Sequence, residues 1–228
     1  MSVIISTLAD AISYINSLYE QDDTAPTSGD ENYTLWTALI NVAISLWENE
    51  EGVLWRELYT TLADASDGDK TIAASTWDYD CPSDFNFVVG KVRIVSSSGV
   101  STYYDVIPST DVSLYDDNSS RWCHFTGNPS DGYDIHFNPD LSLATGETIA
   151  YEYYKTATKV SLATDKFEMA DPMFTVFYVL GELKKDEGDT TALGIATQKL
   201  ESMRTKNMMP SFYQDTSLRD RTGDGFGV

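Results

Sequence analysis

The sequence has few of the residues that build metal centres, disulfide frameworks or basic nucleic-acid surfaces. Its 228 residues include two cysteines and two histidines, and 15 lysines and arginines stand against 36 aspartates and glutamates, for a formal net charge of −21. Phosphate contacts need clustered lysine and arginine, so this charge argues against a basic surface that wraps nucleic acid. A surface that repels DNA, so that DNA slides past it, is compatible with the charge.

The two cysteines, Cys81 and Cys123, are too few for a disulfide framework in a chain of this length. We expect both to be buried free thiols in a protein made in a reducing cytoplasm. A zinc site would have to combine them with His124 and His136, but the adjacent Cys123 and His124 point to opposite faces of a strand. No CxxC or HxxxH spacing occurs. We therefore expect no metal and no cofactor.

Motifs for catalysis and for membrane insertion are also missing. No glycine-rich phosphate loop occurs, and neither histidine lies near a nucleophile-elbow motif. Acidic clusters such as Asp67 and Asp69 lack the ligand spacing of a calcium loop. No apolar run approaches the length of a membrane span, and MSVIISTLADAISYI has neither basic residues nor a cleavage site of small residues. We expect a protein that is not an enzyme and is soluble and intracellular when synthesised.

The apolar residues that are present follow two different periodicities. Three- and four-residue spacing predicts helices over about 3–20 and from Asp30 to about residue 50. It also fits a further short helix over 53–64, although a strand is possible in the first half of that segment. From Trp77 onward the period is two, with breaks every 8 to 12 residues, which fits six or seven strands of a small antiparallel sandwich or barrel. In GNPSDGYDIHFNPDLSLATGETIAYEYYK (127–155) this alternation predicts an antiparallel hairpin.

Helical spacing returns after Asp171 and Pro172, which are favoured at a helix start, and predicts two helices that end near residue 207. The overall prediction is an α+β fold. Residues 1–69 and 161–207 supply the N- and C-terminal helices of one helical module, and 70–160 form an inserted antiparallel β-sandwich or barrel-like module. Residues 208–228 show no periodicity and are predicted to be an extended C-terminal tail.

The predicted tail carries large apolar residues interleaved with arginine on a segment that has no core of its own. Exposed hydrophobes of this kind usually mark a docking strand for a partner, although a disordered end is the alternative. The residues proposed to dock on a neighbouring protein are Met208, Met209, Phe212, Tyr213, Leu218, Arg219, Arg221 and Phe226.

A set of aromatic residues in the predicted strands has two interpretations. They could form a platform that stacks on sugars, or they could pack in the core and between subunits, as aromatic residues of antiparallel strands and oligomer interfaces do. The set comprises Tyr103, Tyr104, Tyr115, Trp122, Tyr133, Tyr151, Tyr153 and Tyr154.

Several features follow one another in a recognisable order. A helix pair with tryptophan in its second helix precedes CPSDF (81–85), a GNP turn (127–129), the strand YEYY (151–154) and a helix pair that starts at Asp-Pro. In this order the chain resembles, over about residues 1–207, the head-to-tail adaptor (connector, neck) proteins of tailed bacteriophages. The helix-like segment 53–64 and the length of the tail depart from the family pattern.

The resemblance implies a structural protein of the virion neck, made in the host cytoplasm. Such adaptors form a homo-oligomeric ring, commonly a dodecamer, below the portal protein of the capsid. They extend the DNA channel, through which DNA passes without specific binding, and they present a landing surface for the next tail or neck component. In better-known members the C-terminal segment holds the portal, a role that here falls on about Met208 to Val228. The alternative is a carbohydrate- or host-surface-binding β domain of a phage tail protein.

Overall fold

The structure is a computed structural model that describes residues 4–22, 24–114 and 120–219. The chain divides into two compact units. One, the helical unit, combines Met1–Glu57 with Ala157–Val228, and the other, the β unit, is Leu58–Thr156. Both ends of the chain therefore contribute to the same unit, and the β unit is inserted between them.

Helix α1 (Leu8–Tyr19) begins where a capping box forms. The amide of Asp10 donates to Thr7 Oγ1 at 3.2 Å, and Asp10 Oδ2 accepts from the Thr7 amide at 2.9 Å. These reciprocal bonds satisfy two amides that have no partner inside the helix. The apolar spacing from Val3 predicted an earlier start, but the cap at Thr7 sets the first residue of the helix.

Helix α2 (Glu31–Glu48) is held to the returning chain by its own polar side chains. The Asn41 amide group donates to Val160 O and its carbonyl oxygen accepts from Val160 N, both at 2.9 Å. Glu48 Oε1 accepts from the Ala157 amide at 3.0 Å. The inner face of α2 buries Tyr33, Trp36, Ile40, Ala43, Ile44 and Trp47.

Helix α3 (Met173–Lys184) is the centre of the helical unit and packs against α1, α2 and α4. Helix α4 (Thr191–Arg219) approaches it closely at Gly181, where an added Cβ would overlap the Leu193 side chain. Glycine therefore permits the close helix–helix contact at this position. Helix α4 also includes residues 208–219, so the prediction of an extended tail is wrong for this segment.

The β unit contains seven strands that form one sheet in the order β1-β7-β3-β4-β5-β6-β2. The strands are β1 (Tyr59–Thr61), β2 (Asp78–Asp80), β3 (Phe85–Val95), β4 (Ser101–Val106), β5 (Trp122–Asn128), β6 (Gly132–Phe137) and β7 (Thr148–Lys155). All pairs are antiparallel except β4 with β5, which is parallel.

The predicted fold class is wrong. The strands do not form a helix-flanked antiparallel sandwich or closed barrel; they form a single curled sheet with one parallel pair, and the tail that was expected to be extended is helical to Arg219. Period-two alternation identifies strands with one buried face, but it does not specify whether that face packs on a second sheet or is enclosed by curling of the same sheet.

One face of the sheet encloses the core of the β unit. In the regular strands, alternate residues point to this face. The register of β3 shifts between Phe85 and Phe87 and again between Val89 and Arg93. Phe85 is at the centre of the core, with ring centroids 5.1 Å from Phe125 and 5.5 Å from Tyr153. The buried members are Leu62, Ile72, Tyr79, Cys81, Phe85, Val92, Ile94, Tyr104, Cys123, Ile135, Phe137, Ile149, Tyr151 and Tyr153.

Two local predictions are also wrong. Residues 53–64 were expected to form a helix but contain a 3₁₀ turn (Arg56–Leu58) followed by β1. The two strands of the 127–155 segment, β6 and β7, do not pair as a hairpin. Strand β6 pairs with β5 and β2, whereas β7 pairs with β1 and β3.

The hairpin in this region joins β5 to β6. This hairpin depends on Gly127, which lies near the end of β5 opposite Tyr133 at φ +120°, because an added Cβ there would overlap the Gly132 carbonyl group. In the described part of the chain, no helix has both the length and the apolar character needed to cross a membrane.

Candidate functional site

The outer face of α2 carries a line of exposed apolar side chains, which we call the α2 ridge: Leu35, Leu39, Val42 and Leu46. Three of them, Leu35, Val42 and Leu46, expose 49%, 45% and 46% of their surface, and Leu39 is half-buried. Spacing of four, three and four residues aligns them along one side of the helix over about 16 Å.

The α2 ridge has no charge along its length. No ionisable side chain except Tyr33, which is buried, lies between Glu31 and Glu48, although the chain as a whole carries a net charge of −21. A solvent-facing side of a helix normally carries charged or polar residues, so a continuous apolar line there favours a cover. The uncharged run 32–47 is the sequence signal that indicates this outer face.

A second apolar surface lies on the outer face of the sheet and is called the aromatic shelf: Tyr59, Phe87 and Tyr154. These residues belong to the neighbouring strands β1, β3 and β7. The Tyr154 ring centroid lies 5.7 Å from that of Tyr59 and 5.1 Å from that of Phe87. Partial burial and the neighbouring Glu152 carboxylate raise the pKa of the Tyr59 hydroxyl, so this ring is uncharged over the physiological range.

The aromatic set from the sequence analysis does not form one continuous platform. Tyr104, Trp122, Tyr151 and Tyr153 are buried, Tyr133 and Tyr154 are half-buried, Tyr103 is exposed, and Tyr115 lies outside the described residues. Tyr153 is fully buried, and its hydroxyl donates to Asp84 Oδ1 at 2.8 Å.

Both cysteines are free and lie in the core of the β unit. Burial raises the pKa of Cys81 to about 12 and raises that of Cys123 further. Because the thiolate is the nucleophile and the metal ligand, these buried thiols are inert at neutral pH. Among the residues that the structure describes, no group of three or more histidine, cysteine or acidic side chains is arranged to hold a metal ion.

The only two histidines of the sequence meet on the outer face of the sheet, beside a groove of about 640 Å³. His124 on β5 lies directly opposite His136 on β6, and Asp78 on β2 lies opposite His136 on its other side. The imidazole rings stack with centroids 4.8 Å apart. His136 Nδ1 is 2.6 Å from Asp78 Oδ1, and its Nε2 is 2.5 Å from Thr126 Oγ1. We call this site the histidine groove.

The histidine groove is walled by indole rings and rimmed by carboxylates. It is lined by Trp77, Asp78, Val112, Trp122, His124, His136, Phe137, Asn138, Pro139 and Asp140. Burial lowers the pKa of His124, and the adjacent His136 adds to this effect, which Asp78 opposes. His124 Nδ1 is buried and has no hydrogen-bond partner among the described residues. His124 and His136 lie on consecutive strands of one hairpin, but Asp78 comes from β2, much earlier in the chain, so the sequence did not indicate that the three side chains form a row.

The structure describes only part of the tail residues that were predicted to dock on a partner. The backbone of Met208, Met209, Phe212, Tyr213, Leu218 and Arg219 continues helix α4, while their side chains, and all of Arg221 and Phe226, lie outside the described part of the structure. Before them, Asn207 fixes α4 to the end of the first segment of the helical unit. Its amide group donates to Leu54 O at 2.8 Å, and its carbonyl oxygen accepts from the Arg56 amide at 3.2 Å.

No family model matches the chain, and no curated protein matches it at a significant level. Inferences about function therefore rest on the residues of this chain and on the geometry of the α2 ridge, the aromatic shelf and the histidine groove.

Proposed function

We propose that this chain is a structural protein of a phage virion, a head-to-tail adaptor of the neck. In this proposal copies of the chain form a ring below the portal protein. The ring extends the DNA channel and provides the attachment surface for the next tail or neck component. The sequence resemblance suggests this role, and the α2 ridge is the structural observation that carries it.

The α2 ridge supports a role in assembly because it is both apolar and uncharged. Exposed aliphatic side chains in a continuous line favour burial against another protein surface. Elsewhere, copies of a chain with a net charge of −21 repel one another, so a contact between copies is least opposed where the surface carries no charge. The ridge, between Glu31 and Glu48, meets both conditions.

A ring also requires that each copy uses two different surfaces. A contact between identical surfaces closes a dimer, whereas a head-to-tail contact can continue around a rotation axis and close a ring. The aromatic shelf is a second apolar surface of different chemistry, flat and aromatic, and Tyr59 and Phe87 expose 43% and 39% of their surface. The ridge of one copy and the shelf of the next are the pair of surfaces that we assign to the ring contact.

The charge of the chain fits the proposed channel. An acidic wall repels the phosphate backbone, so DNA can move through without being held. Attraction by clustered lysine and arginine would slow its passage. The charge thus supports a conduit for DNA in preference to a DNA-binding protein.

Residues 208–228 are assigned to portal docking. Helix α4 is anchored to the helical unit up to Asn207, so the segment that follows can engage a partner without disturbing that anchor. The alternative of a carbohydrate-binding domain needs an exposed platform of the eight aromatic residues, but two of them, Trp122 and Tyr153, expose only 6% and 0% of their surface.

Electron microscopy of the purified protein mixed with the portal protein of the same virus tests the proposal. We expect a ring of this chain on one face of the portal, and weaker docking after deletion of 208–228 with the fold intact by circular dichroism. A protein that stays monomeric and ignores the portal contradicts the adaptor role. A truncated protein that docks as tightly as the full chain contradicts only the assignment of the tail.

A further inference from the structure

We propose that the histidine groove binds an arginine side chain presented by a partner protein. The proposed adaptor role does not require this site, and the site does not depend on that role. The groove is about 640 Å³, which is within the range of small-ligand sites and leaves ample room for an arginine side chain and its neighbouring backbone.

The charges of the groove select a cation. Asp78 and Asp140 stand at its rim, and none of the described residues that line it is a lysine or arginine. The Asp78 side chain is 72% exposed, and its only described partner is His136, through Oδ1. The second carboxylate oxygen of Asp78 and both carboxylate oxygens of Asp140 have no partner in the described part of the chain. A cationic ligand would supply the missing counter-charge.

The shape and the walls of the groove select a planar cation. A guanidinium group is flat, stacks on indole and imidazole rings, and offers parallel N–H donors to a carboxylate. Trp77 and Trp122 supply indoles at the groove, and the stacked imidazoles of His124 and His136 form part of its wall. The ammonium group of lysine is a compact and strongly hydrated charge that uses such walls less well.

Hydrogen bonds within the chain fix two of the residues that line the groove. Trp77 Nε1 donates to Leu141 O at 2.9 Å, and Asn138 Oδ1 accepts from the Asp140 amide at 3.0 Å. These bonds fix one indole wall and one acidic rim residue before a ligand arrives. A preformed site loses less conformational entropy on binding than a mobile one.

Titration of the isotope-labelled protein with the peptide Gly-Ser-Arg-Ser-Gly, followed by NMR, tests this inference. The control peptide carries citrulline, which has the same shape as arginine without the charge. We expect saturable shifts at the ring signals of His124, His136 and Trp122 with the arginine peptide. With the citrulline peptide we expect binding at least about tenfold weaker, because a charge-assisted contact is lost.

Asp78→Asn should weaken binding of the arginine peptide by about tenfold, because it removes the charge and keeps an oxygen for His136. Asp80→Asn is the matched control: Asp80 lies two residues along β2 on the same face but does not line the groove, and binding should be unchanged. Equal affinity for the two peptides, no shifts at the groove, or a groove that binds methyl glycosides and not arginine would each overturn the proposal. None of these outcomes bears on ring formation.

Discussion

The two units of the chain expose surfaces of opposite character. The helical unit presents the α2 ridge, a line of aliphatic side chains with no charge, on the outside of a helix whose inner face is fully buried. The β unit presents the histidine groove, where ionisable side chains from three neighbouring strands meet between indole rings. The ridge should therefore be disabled by adding a charge, and the groove by removing one.

The largest expected change in stability distinguishes the inner face of α2 from its outer face. Trp36→Ala empties a fully buried site and should lower the free energy of unfolding by about 4–5 kcal/mol. Leu35→Ala, one residue away on the ridge, should lower it by about 0.5–1 kcal/mol. Urea denaturation of both variants measures the difference. Comparable losses would mean that the ridge is part of the core of the helical unit.

The same contrast can be tested in the β unit. Phe85→Ala removes the ring at the centre of the core and should lower the free energy of unfolding by about 3–4 kcal/mol. Phe87 lies two residues along β3 but on the opposite face, because the strand register shifts between Phe85 and Phe87. Phe87→Ala, on the aromatic shelf, should cost about 1 kcal/mol or less in the isolated protein. A large loss for Phe87→Ala would show that the shelf stabilises the single chain and is not reserved for a partner.

The smallest expected effect is a dependence of stability on pH that arises from His124. Burial and His136 lower its pKa below the ordinary value of 6.5, so the folded state holds this proton less tightly than the unfolded state does. The stability that the neutral His124 ring contributes to the folded state is therefore present above pH 6.5. It is lost as the pH falls through the lowered pKa of His124 in the folded state.

His124→Gln cannot take up this proton and should therefore lose less stability than the natural protein when the pH falls from 7 to 5. Thermal unfolding at both pH values measures the loss, and NMR titration of the His124 ring locates its pKa directly. A His124 pKa at or above 6.5 would contradict the assigned direction of the shift.

The sequence pattern predicted the positions of helices and strands better than it predicted which strands pair. Helical spacing located α1, α2 and α3, because the inner face of each helix must be apolar. The error at 53–64 has a specific cause. Leu58 and Leu62 follow helical spacing, but the chain there is β1 and the turn after it, and Leu62 packs in the core of the sheet. Tertiary packing overrode the local pattern.

Strand partners could not be derived from alternation alone. The 127–155 segment alternates as a hairpin does, yet β6 pairs with β5 through the Gly127 turn, and β7 pairs with β1 and β3. The Asp78–His136–His124 row depends on that pairing, so the sequence contained its residues without indicating their contact. The α2 ridge was different, because the uncharged run 32–47 is visible in the sequence and indicates an outer face that needs a cover.

The most direct test of the proposed ring is a lysine placed on the α2 ridge. Val42→Lys should leave the fold of the single chain intact, because Val42 is 45% exposed, but should prevent ring formation on the portal by burying a charge at the contact. Thr34→Lys, on an exposed site of α2 away from the ridge, is the matched control. Sedimentation of each variant with the portal protein measures assembly. We predict that Thr34→Lys assembles as the natural protein does and Val42→Lys does not. A Val42→Lys protein that forms the same ring would contradict the assignment of the α2 ridge to the contact between copies.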